Sequence, residues 1–149
     1  ILPVEIDELY QEIILDHYKH PRHAGKLSDA EAMVDEENPT CGDHIKLTAK
    51  VADDKIEDII IDCQGCAICT ASSSIMSEMV MLQPVSGVRK LIGDFIGVMR
   101  GEKEMSDEAL GDLVSLKGVT KYPLRVKCAT MSWHALGMAL NRICPSVEK

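Results

Sequence analysis

Apolar side chains near the start of the chain recur every three or four residues, and further along they recur every second residue. Between residues 5 and 20 the spacing is that of an amphipathic helix, which Pro21 ends. Residues 44–52 alternate apolar and polar side chains; after a two-residue turn, 56–63 predict a second strand with Ile59, Ile61 and Cys63 on one face, and a shorter candidate strand lies at 33–36. The pattern predicts an N-terminal helix followed by a small antiparallel sheet of about three strands.

The rest of the chain has helical spacing. Residues 67–82 and 85–99 predict two successive helices. Ser106 is a candidate N-cap of a short helix, because acidic residues follow it in the first turn. Thr120 is expected to cap the last helix, which extends to about residue 143. A helix, a small sheet and then several packed helices are typical of an α+β fold.

Composition and charge exclude several classes of function. The length of 149 residues predicts a single domain over residues 1–149. The net charge of −8 argues against a nucleic-acid-binding protein, which needs a basic face for phosphates. No apolar run reaches the roughly 18 residues of a membrane span, and the first ten residues lack the basic segment of a secretory signal. We therefore expect a cytoplasmic protein with no nucleic-acid or membrane partner, which docks on another protein.

Six cysteines without a secretory signal indicate a reducing compartment, where cysteines bind metals or react more often than they form disulfides. Cys41 and Asp43 lie on a turn before a predicted strand, Cys66 lies where a strand passes into a helix, and Cys128 lies in the last helix. Three thiolates and one carboxylate form a donor set that suits tetrahedral Zn²⁺. The gaps of 2, 23 and 62 positions match no general zinc pattern, so spacing alone leaves this quartet a weak candidate.

A more compact cysteine run offers an alternative site. Cys63, Cys66 and Cys69 have the spacing of the first ligands of a ferredoxin cluster, and Cys144 precedes a proline as in that motif. However, Cys63 is in phase with the apolar face of its strand, which predicts a buried thiol rather than a ligand. Cys69 lies in a helix of small and apolar residues and could share the face of Cys66. We expect Cys144 to be inert.

The histidines offer a second possible metal site. His17, His20 and His23 are spaced at intervals of three residues, but a proline interrupts the helix between them, so we expect surface histidines. We expect no ligand role for the other two histidines, His44 and His134.

Basic residues cluster before Cys128 in an otherwise acidic chain. Lys121 and Arg125 are one helical turn apart, and Lys117 and Lys127 lie close to them in the sequence. Each of them alone is adequately explained as a solvated charge on a helix. Together they predict a surface that steers an acidic partner toward the cysteines, with Lys121, Arg125 and Lys127 as the partner-binding residues.

Three segments resemble the signatures of the IscU/NifU N-terminal scaffold family. They are NPTCGD at 38–43, GCAICTASSS at 65–74 and YPLRVKCAT at 122–130, and they occur in the order found in the family. The resemblance implies an α+β fold of the SufE/NifU-like type and a function in iron–sulfur cluster assembly. It also raises one set of residues from a weak candidate to the implied metal ligands, namely Cys41, Asp43, Cys66 and Cys128.

Two departures from the scaffold members narrow the resemblance. Those members have a histidine immediately before the last cysteine, where this chain has Lys127, and their segment corresponding to 97–118 is shorter. Both features resemble the SufU branch, understood as zinc-containing sulfur acceptors that work with a SufS-type cysteine desulfurase. The resemblance then implies a Zn²⁺ site of three cysteines and one aspartate, with Cys41 as the catalytic, sulfur-accepting thiol. The chain would be a zinc-dependent, sulfurtransferase-like partner of the desulfurase, and its status as an enzyme stays open.

Two other functions remain possible at this point. The same ligands could hold a [2Fe–2S] cluster or iron on a scaffold that transfers its cluster, although Lys127 removes one candidate ligand. Alternatively, a structural zinc domain could activate the desulfurase allosterically. In each case the downstream partner is expected to be another iron–sulfur scaffold or an apo-protein.

Overall fold

The computed structural model describes residues 8–25, 32–38 and 42–144. The predicted order of a helix, a three-stranded sheet and several helices is confirmed. In chain order the elements are α1 (Glu8–Lys19), β1 (Ala32–Asn38), β2 (Asp43–Ala52), β3 (Lys55–Gln64), α2 (Ala67–Val80), α3 (Val85–Met99), α4 (Asp107–Leu110), a 3₁₀ segment (Gly111–Lys121) and α5 (Pro123–Ile143).

The sheet is antiparallel, with strand order β1-β2-β3. Asn38 pairs with Asp43 at one end of the β1–β2 ladder, and Ala52 pairs with Lys55 at the opposite end of β2. The apolar side chains Ile45, Leu47 and Ala49 of β2 are fully buried, as their alternation predicts. Helices α2 and α5 both contact the sheet. The end of β2 that carries Asp43 is therefore available to meet residues from both helices.

Helix α2 is buried on most of its surface, with 12 of its 14 residues buried. It contacts α1, α5 and β3, and its many small side chains let these elements approach closely. The buried hydroxyls bond locally: Ser73 Oγ donates to the Cys69 carbonyl at 2.9 Å and Ser77 Oγ donates to the Ser74 carbonyl at 2.7 Å. No helix in the described part of the chain has both the length and the apolar character needed to cross a membrane.

The start of the last helix differs from the prediction. Residues 111–121 form 3₁₀ turns, and the Thr120 hydroxyl donates to the Lys117 carbonyl at 2.7 Å instead of capping α5. Helix α5 begins at Pro123, because proline has no amide hydrogen to leave unpaired and its φ already suits a first helical turn. The predicted cap at Ser106 is confirmed, since its Oγ accepts from the Ala109 amide at 3.1 Å.

The expectation of surface histidines is wrong for His17, which is only 2% exposed. Its Nδ1 lies 2.7 Å from Ser74 Oγ and its Nε2 lies 3.3 Å from Asp112 Oδ2. The helical phase of α1 turns this residue inward, where it joins α1 to α2 and to the 3₁₀ segment. His20 and His23 are exposed, as expected.

Candidate metal centre

Three of the four predicted ligands converge on one point. The ligand atoms of Asp43, Cys66 and Cys128 all lie within 4.8 Å of one another. Asp43 begins β2, Cys66 is the N-cap of α2, and Cys128 lies in the second turn of α5. Asp43 and Cys128 are buried, whereas Cys66 is half-buried. Residues distant in the sequence therefore form one compact donor group.

The fourth predicted ligand, Cys41, lies outside the described residues, so its place in the site stays a prediction. Next to it in the chain, Gly42 has a φ of +75°, a left-handed conformation that favours glycine. The Gly42 amide donates to the Asn38 carbonyl at 2.7 Å. This contact fixes the backbone immediately before Asp43.

Asp43 is held by the start of α2. Its Oδ1 accepts from the Cys66 amide at 2.8 Å, and its Oδ2 lies 3.8 Å from the Cys66 sulfur. The first amides of a helix have no partner within the helix and carry the positive end of its dipole, so they stabilise a carboxylate. One carboxylate oxygen is thus anchored while the other faces the thiols.

Gly65 makes this approach possible, a role that reasoning about ligands missed. A Cβ at this position would lie 2.2 Å from Asp43 Oδ1 and 3.0 Å from Asp43 Cα. Both distances are far below van der Waals contact, so any other residue would displace the carboxylate. The signal in the sequence was a glycine at the junction between a strand and a helix.

The environment of Cys66 favours its thiolate. A hydrogen bond with Cys128 lowers the pKa of Cys66 to about 7, and the backbone amide of Cys69 contributes in the same direction. Burial and the negative charge of Asp43 oppose this shift. The Cys69 amide lies 3.4 Å from the Cys66 sulfur, which acts as the N-cap acceptor of α2. A large share of Cys66 is therefore thiolate at neutral pH, the form that binds metals.

Two donors approach the Cys128 sulfur. Asn38 Nδ2 lies 3.9 Å from it and Arg125 Nη1 lies 4.0 Å from it. Arg125, predicted to bind a partner, is thus half-buried beside a candidate ligand, whereas Lys121 and Lys127 are exposed. Lys117 forms an ion pair with Asp107 at 3.0 Å.

The remaining described cysteines stay outside this group. Cys69 is fully buried and Cys63 is half-buried, so the prediction that Cys63 points inward holds in part. Their sulfurs lie 3.3 Å apart and share a hydrogen bond that lowers the pKa of Cys63 and raises that of Cys69. Cys144 is half-buried at the end of α5. No disulfide joins cysteines within the described ranges, and the ferredoxin-like run does not form one ligand group.

The donor group fits a tetrahedral ion. With Zn–S bonds of about 2.3 Å, the ligand atoms of a tetrahedral site lie about 3.8 Å apart. The described donors, within 4.8 Å of one another, need to contract by at most about 1 Å to reach that separation. Asp43, Cys66 and Cys128 could therefore hold Zn²⁺ together with one further ligand.

Comparison with known proteins identifies the family. The sequence model of the NifU-like N-terminal domain family matches residues 9–129 of this chain. The chain is 42% identical over 131 residues to the zinc-dependent sulfurtransferase SufU of Bacillus subtilis (strain 168), with 88% of each chain covered. It is 41% identical over 138 residues to the iron–sulfur cluster assembly scaffold protein IscU of Streptococcus pyogenes serotype M1, covering 93% of this chain and 86% of that one.

Solved structures agree with this assignment. A crystal structure from Fervidobacterium islandicum AW-1, described as a candidate iron–sulfur cluster assembly scaffold for the SUF system, superposes with a TM-score of 0.81 at 32% identity. The match covers 87% of this chain and 94% of that one. The family predicted from the three motifs is thereby confirmed: the chain belongs to the NifU-like N-terminal domain family.

Proposed function

We propose that this chain is an iron–sulfur cluster assembly protein of the SufU type, which holds Zn²⁺ and accepts persulfide sulfur from a SufS-type cysteine desulfurase. The observation that carries the proposal is the convergence of one carboxylate and two thiols, Asp43, Cys66 and Cys128, within 4.8 Å. The Bacillus and Streptococcus relatives are almost equally similar, at 42% and 41% identity. Sequence identity therefore does not distinguish zinc-dependent sulfur transfer from cluster scaffolding, so the proposal rests on the chemistry of the donor atoms.

The donor set favours Zn²⁺. Within the described ranges, no further histidine, cysteine or acidic residue joins the group. The missing fourth donor is best supplied by Cys41, two positions before Asp43 in the chain. Three thiolates and a carboxylate match the ligands that Zn²⁺ accepts in a tetrahedron. Lys127 occupies the position before Cys128 and is exposed, and an ammonium group has no lone pair with which to bind iron.

Cys41 is the proposed acceptor thiol. In the transfer step its thiolate attacks the terminal sulfur of the desulfurase persulfide, the S–S bond of the donor breaks, and the desulfurase cysteine leaves as thiolate. Bound Zn²⁺ would supply stabilisation of thiolates at neutral pH. The chain's own contribution is position: Asp43 is fixed by the Cys66 amide at 2.8 Å, and Cys128 is held by Asn38 and Arg125. With these groups fixed, the proposed acceptor Cys41 can take up and deliver sulfur beside them.

The decisive experiment measures metal content and sulfur transfer in the same preparations. We expect zinc near one per chain, no visible absorbance, and persulfide on the chain after incubation with desulfurase and cysteine. Cys41→Ser should abolish the persulfide, and Asp43→Ala should lower zinc retention. Cys144→Ser is the matched control, because this thiol lies at the end of α5 outside the donor group, and it should leave both measurements unchanged.

A [2Fe–2S] scaffold is the second candidate, favoured by the similarity to the Streptococcus scaffold protein. It would be supported by a brown colour after reconstitution that survives purification and passes to an apo-protein. A third outcome, desulfurase activation that persists in Cys41→Ser, would indicate an allosteric zinc domain instead. The downstream recipient and the cytoplasmic location stay predictions from the sequence.

A further inference from the structure

A second pair of thiols lies close to the donor group but takes no part in it. Cys63 is near the end of β3, Cys69 is in the first turn of α2, and their sulfurs are 3.3 Å apart. A disulfide bond is about 2.0 Å long, so a movement of little more than 1 Å would join them. Neither sulfur belongs to the group formed by Asp43, Cys66 and Cys128.

A small cavity of about 70 Å³ leads to one member of this pair. Cys63 lines it together with Arg22, Thr70, Ser73 and Ser74, whereas Cys69 does not. The volume is enough for a few water-sized molecules and too small for a peptide thiol. The two sulfurs therefore differ in accessibility. A small molecule can reach Cys63, whereas Cys69 is fully buried.

The polar groups around this cavity are suited to an oxygen-containing ligand. Thr70 Oγ1 donates to the Cys63 sulfur at 3.6 Å. Arg22 Nη2 is tied to Asp16 Oδ2 at 2.8 Å, but the buried Arg22 Nη1 has no hydrogen-bond partner among the described residues. Arg22 also lines the cavity, so its positive charge lies close to the place where negative charge develops on a departing oxygen.

We propose that Cys63 and Cys69 form a peroxide-reactive dithiol, in which Cys63 attacks a small hydroperoxide and Cys69 resolves the product. In the first step the Cys63 sulfur bonds to one peroxide oxygen, the O–O bond breaks, and the departing oxygen takes a proton to leave as water or an alcohol. Cys63 becomes a sulfenic acid. In the second step the Cys69 sulfur attacks it, the S–O bond breaks, and the hydroxyl leaves as water with the Cys69 proton.

The two thiols together lose two electrons and the hydroperoxide gains them, so no further oxidant is required. A dithiol reductant returns the disulfide to the starting state by exchange. The inference does not rest on the proposed zinc-dependent sulfur transfer, because it involves different sulfurs.

The test treats the purified, reduced chain with hydrogen peroxide, with and without a 1,3-dione that traps sulfenic acids. We expect the wild-type chain to lose two hydrogen masses and to show a Cys63–Cys69 link on fragmentation. Cys69→Ser should instead accumulate the trapped adduct on Cys63, and Cys63→Ser should give neither product. Cys144→Ser is the matched control and should behave as the wild type does.

Arg22 provides an independent readout. Arg22→Gln removes the positive charge from the cavity wall, and it should slow the first step at least about threefold, because negative charge on the departing oxygen is then less stabilised. Circular dichroism checks that each variant folds, and Cys63→Ala replaces Cys63→Ser if the serine is not tolerated. The proposal would be overturned if the Cys63 variant consumed hydrogen peroxide as fast as the wild type. A wild-type disulfide that joins other cysteines would also overturn it.

Discussion

At the scale of single residues, Asp43 keeps its position because residue 65 has no side chain. The carboxylate occupies the space that a Cβ of residue 65 would fill, 2.2 Å from Asp43 Oδ1. From there Asp43 accepts from the Cys66 amide and orients the first turn of α2. The ligand geometry thus depends on a residue that offers no ligand atom.

Gly65→Ala should weaken metal binding more than any other single methyl group added near the site. We expect a loss of about 1.5–3 kcal/mol in the free energy of unfolding, because the charge-assisted bond between Asp43 and the Cys66 amide is broken. Zinc affinity, measured by competition with a chromogenic chelator, should fall at least about tenfold.

The matched control is Gly93→Ala, on the exposed side of α3, where an added Cβ meets no atom within 4 Å. It should leave zinc affinity unchanged and raise stability by about 0.5–1 kcal/mol, since alanine favours a helix over glycine. Equal zinc affinities in the two variants would show that the Asp43–Gly65 contact does not control the site.

Part of this residue-scale picture could be predicted from the sequence. A carboxylate and thiols at the ends of elements were identified as a possible donor set, and the motifs then selected Asp43, Cys66 and Cys128. The contact of Gly65 with Asp43 could not be predicted, because it joins positions 22 residues apart through a close approach in space. The spacing of Arg125 and Cys128 predicted that both lie on one face of the helix, but it could not predict that the guanidinium contacts the Cys128 sulfur.

At the scale of elements, the site depends on how α2 is fastened to α5. The Ser72 hydroxyl donates to the Ala129 carbonyl, and it accepts from the indole nitrogen of Trp133 at 3.1 Å. All three residues are fully buried or nearly so. Ala129 directly follows Cys128, so this contact sets the distance between α2, which Cys66 caps, and α5, which carries Cys128.

Ser72→Ala should destabilise the chain by about 1–3 kcal/mol, because the buried indole N–H is left without its acceptor. Urea unfolding followed by the fluorescence of Trp133, the one tryptophan of the sequence, measures this directly. Ser86→Ala, on the exposed first turn of α3, is the control and should change stability by less than about 0.5 kcal/mol. A neutral Ser72→Ala would mean that apolar packing alone holds the two helices.

The 3₁₀ segment shows where element prediction failed and why. Leu113, Leu116 and Val119 are fully buried and spaced by three, which is the period of a 3₁₀ helix rather than the 3.6 of an α-helix. Over so few residues the two periods are hard to separate, and long 3₁₀ stretches are uncommon, so the signal was passed over. The sheet was easier, because the alternation in β2 is regular over nine residues and β3 follows it after a two-residue turn.

At the scale of the whole molecule, charge is distributed unevenly. The chain carries a net charge of −8, yet Lys121 and Lys127 are exposed on either side of the first turn of α5, close in sequence to Cys128. Arg125 is less suited to a docking test, because it also contacts the Cys128 sulfur. The two lysines therefore provide the cleaner test of the predicted partner surface.

The double variant Lys121→Glu/Lys127→Glu should weaken binding of a cysteine desulfurase, and the effect should shrink as salt is raised. We expect at least about a tenfold loss of affinity at low ionic strength, measured by titration calorimetry at several salt concentrations. Lys55→Glu is the control, because it lies at the β2–β3 turn, at the other end of the sheet from Asp43. If the loss of affinity were the same at every salt concentration, electrostatic steering of the desulfurase by these two lysines would be excluded.

Because the Ser72 contact joins α2 to α5 within the chain itself, we expect it to keep the Cys66 and Cys128 sulfurs close together whether or not the proposed ion is bound. An arriving ion meets donors that are already preorganised, so little conformational entropy remains to be lost when it binds. Small zinc domains behave differently, since their chains unfold when the ion leaves. We therefore expect the proposed ion to be exchangeable while the fold stays intact, so that one folded chain could be reloaded many times.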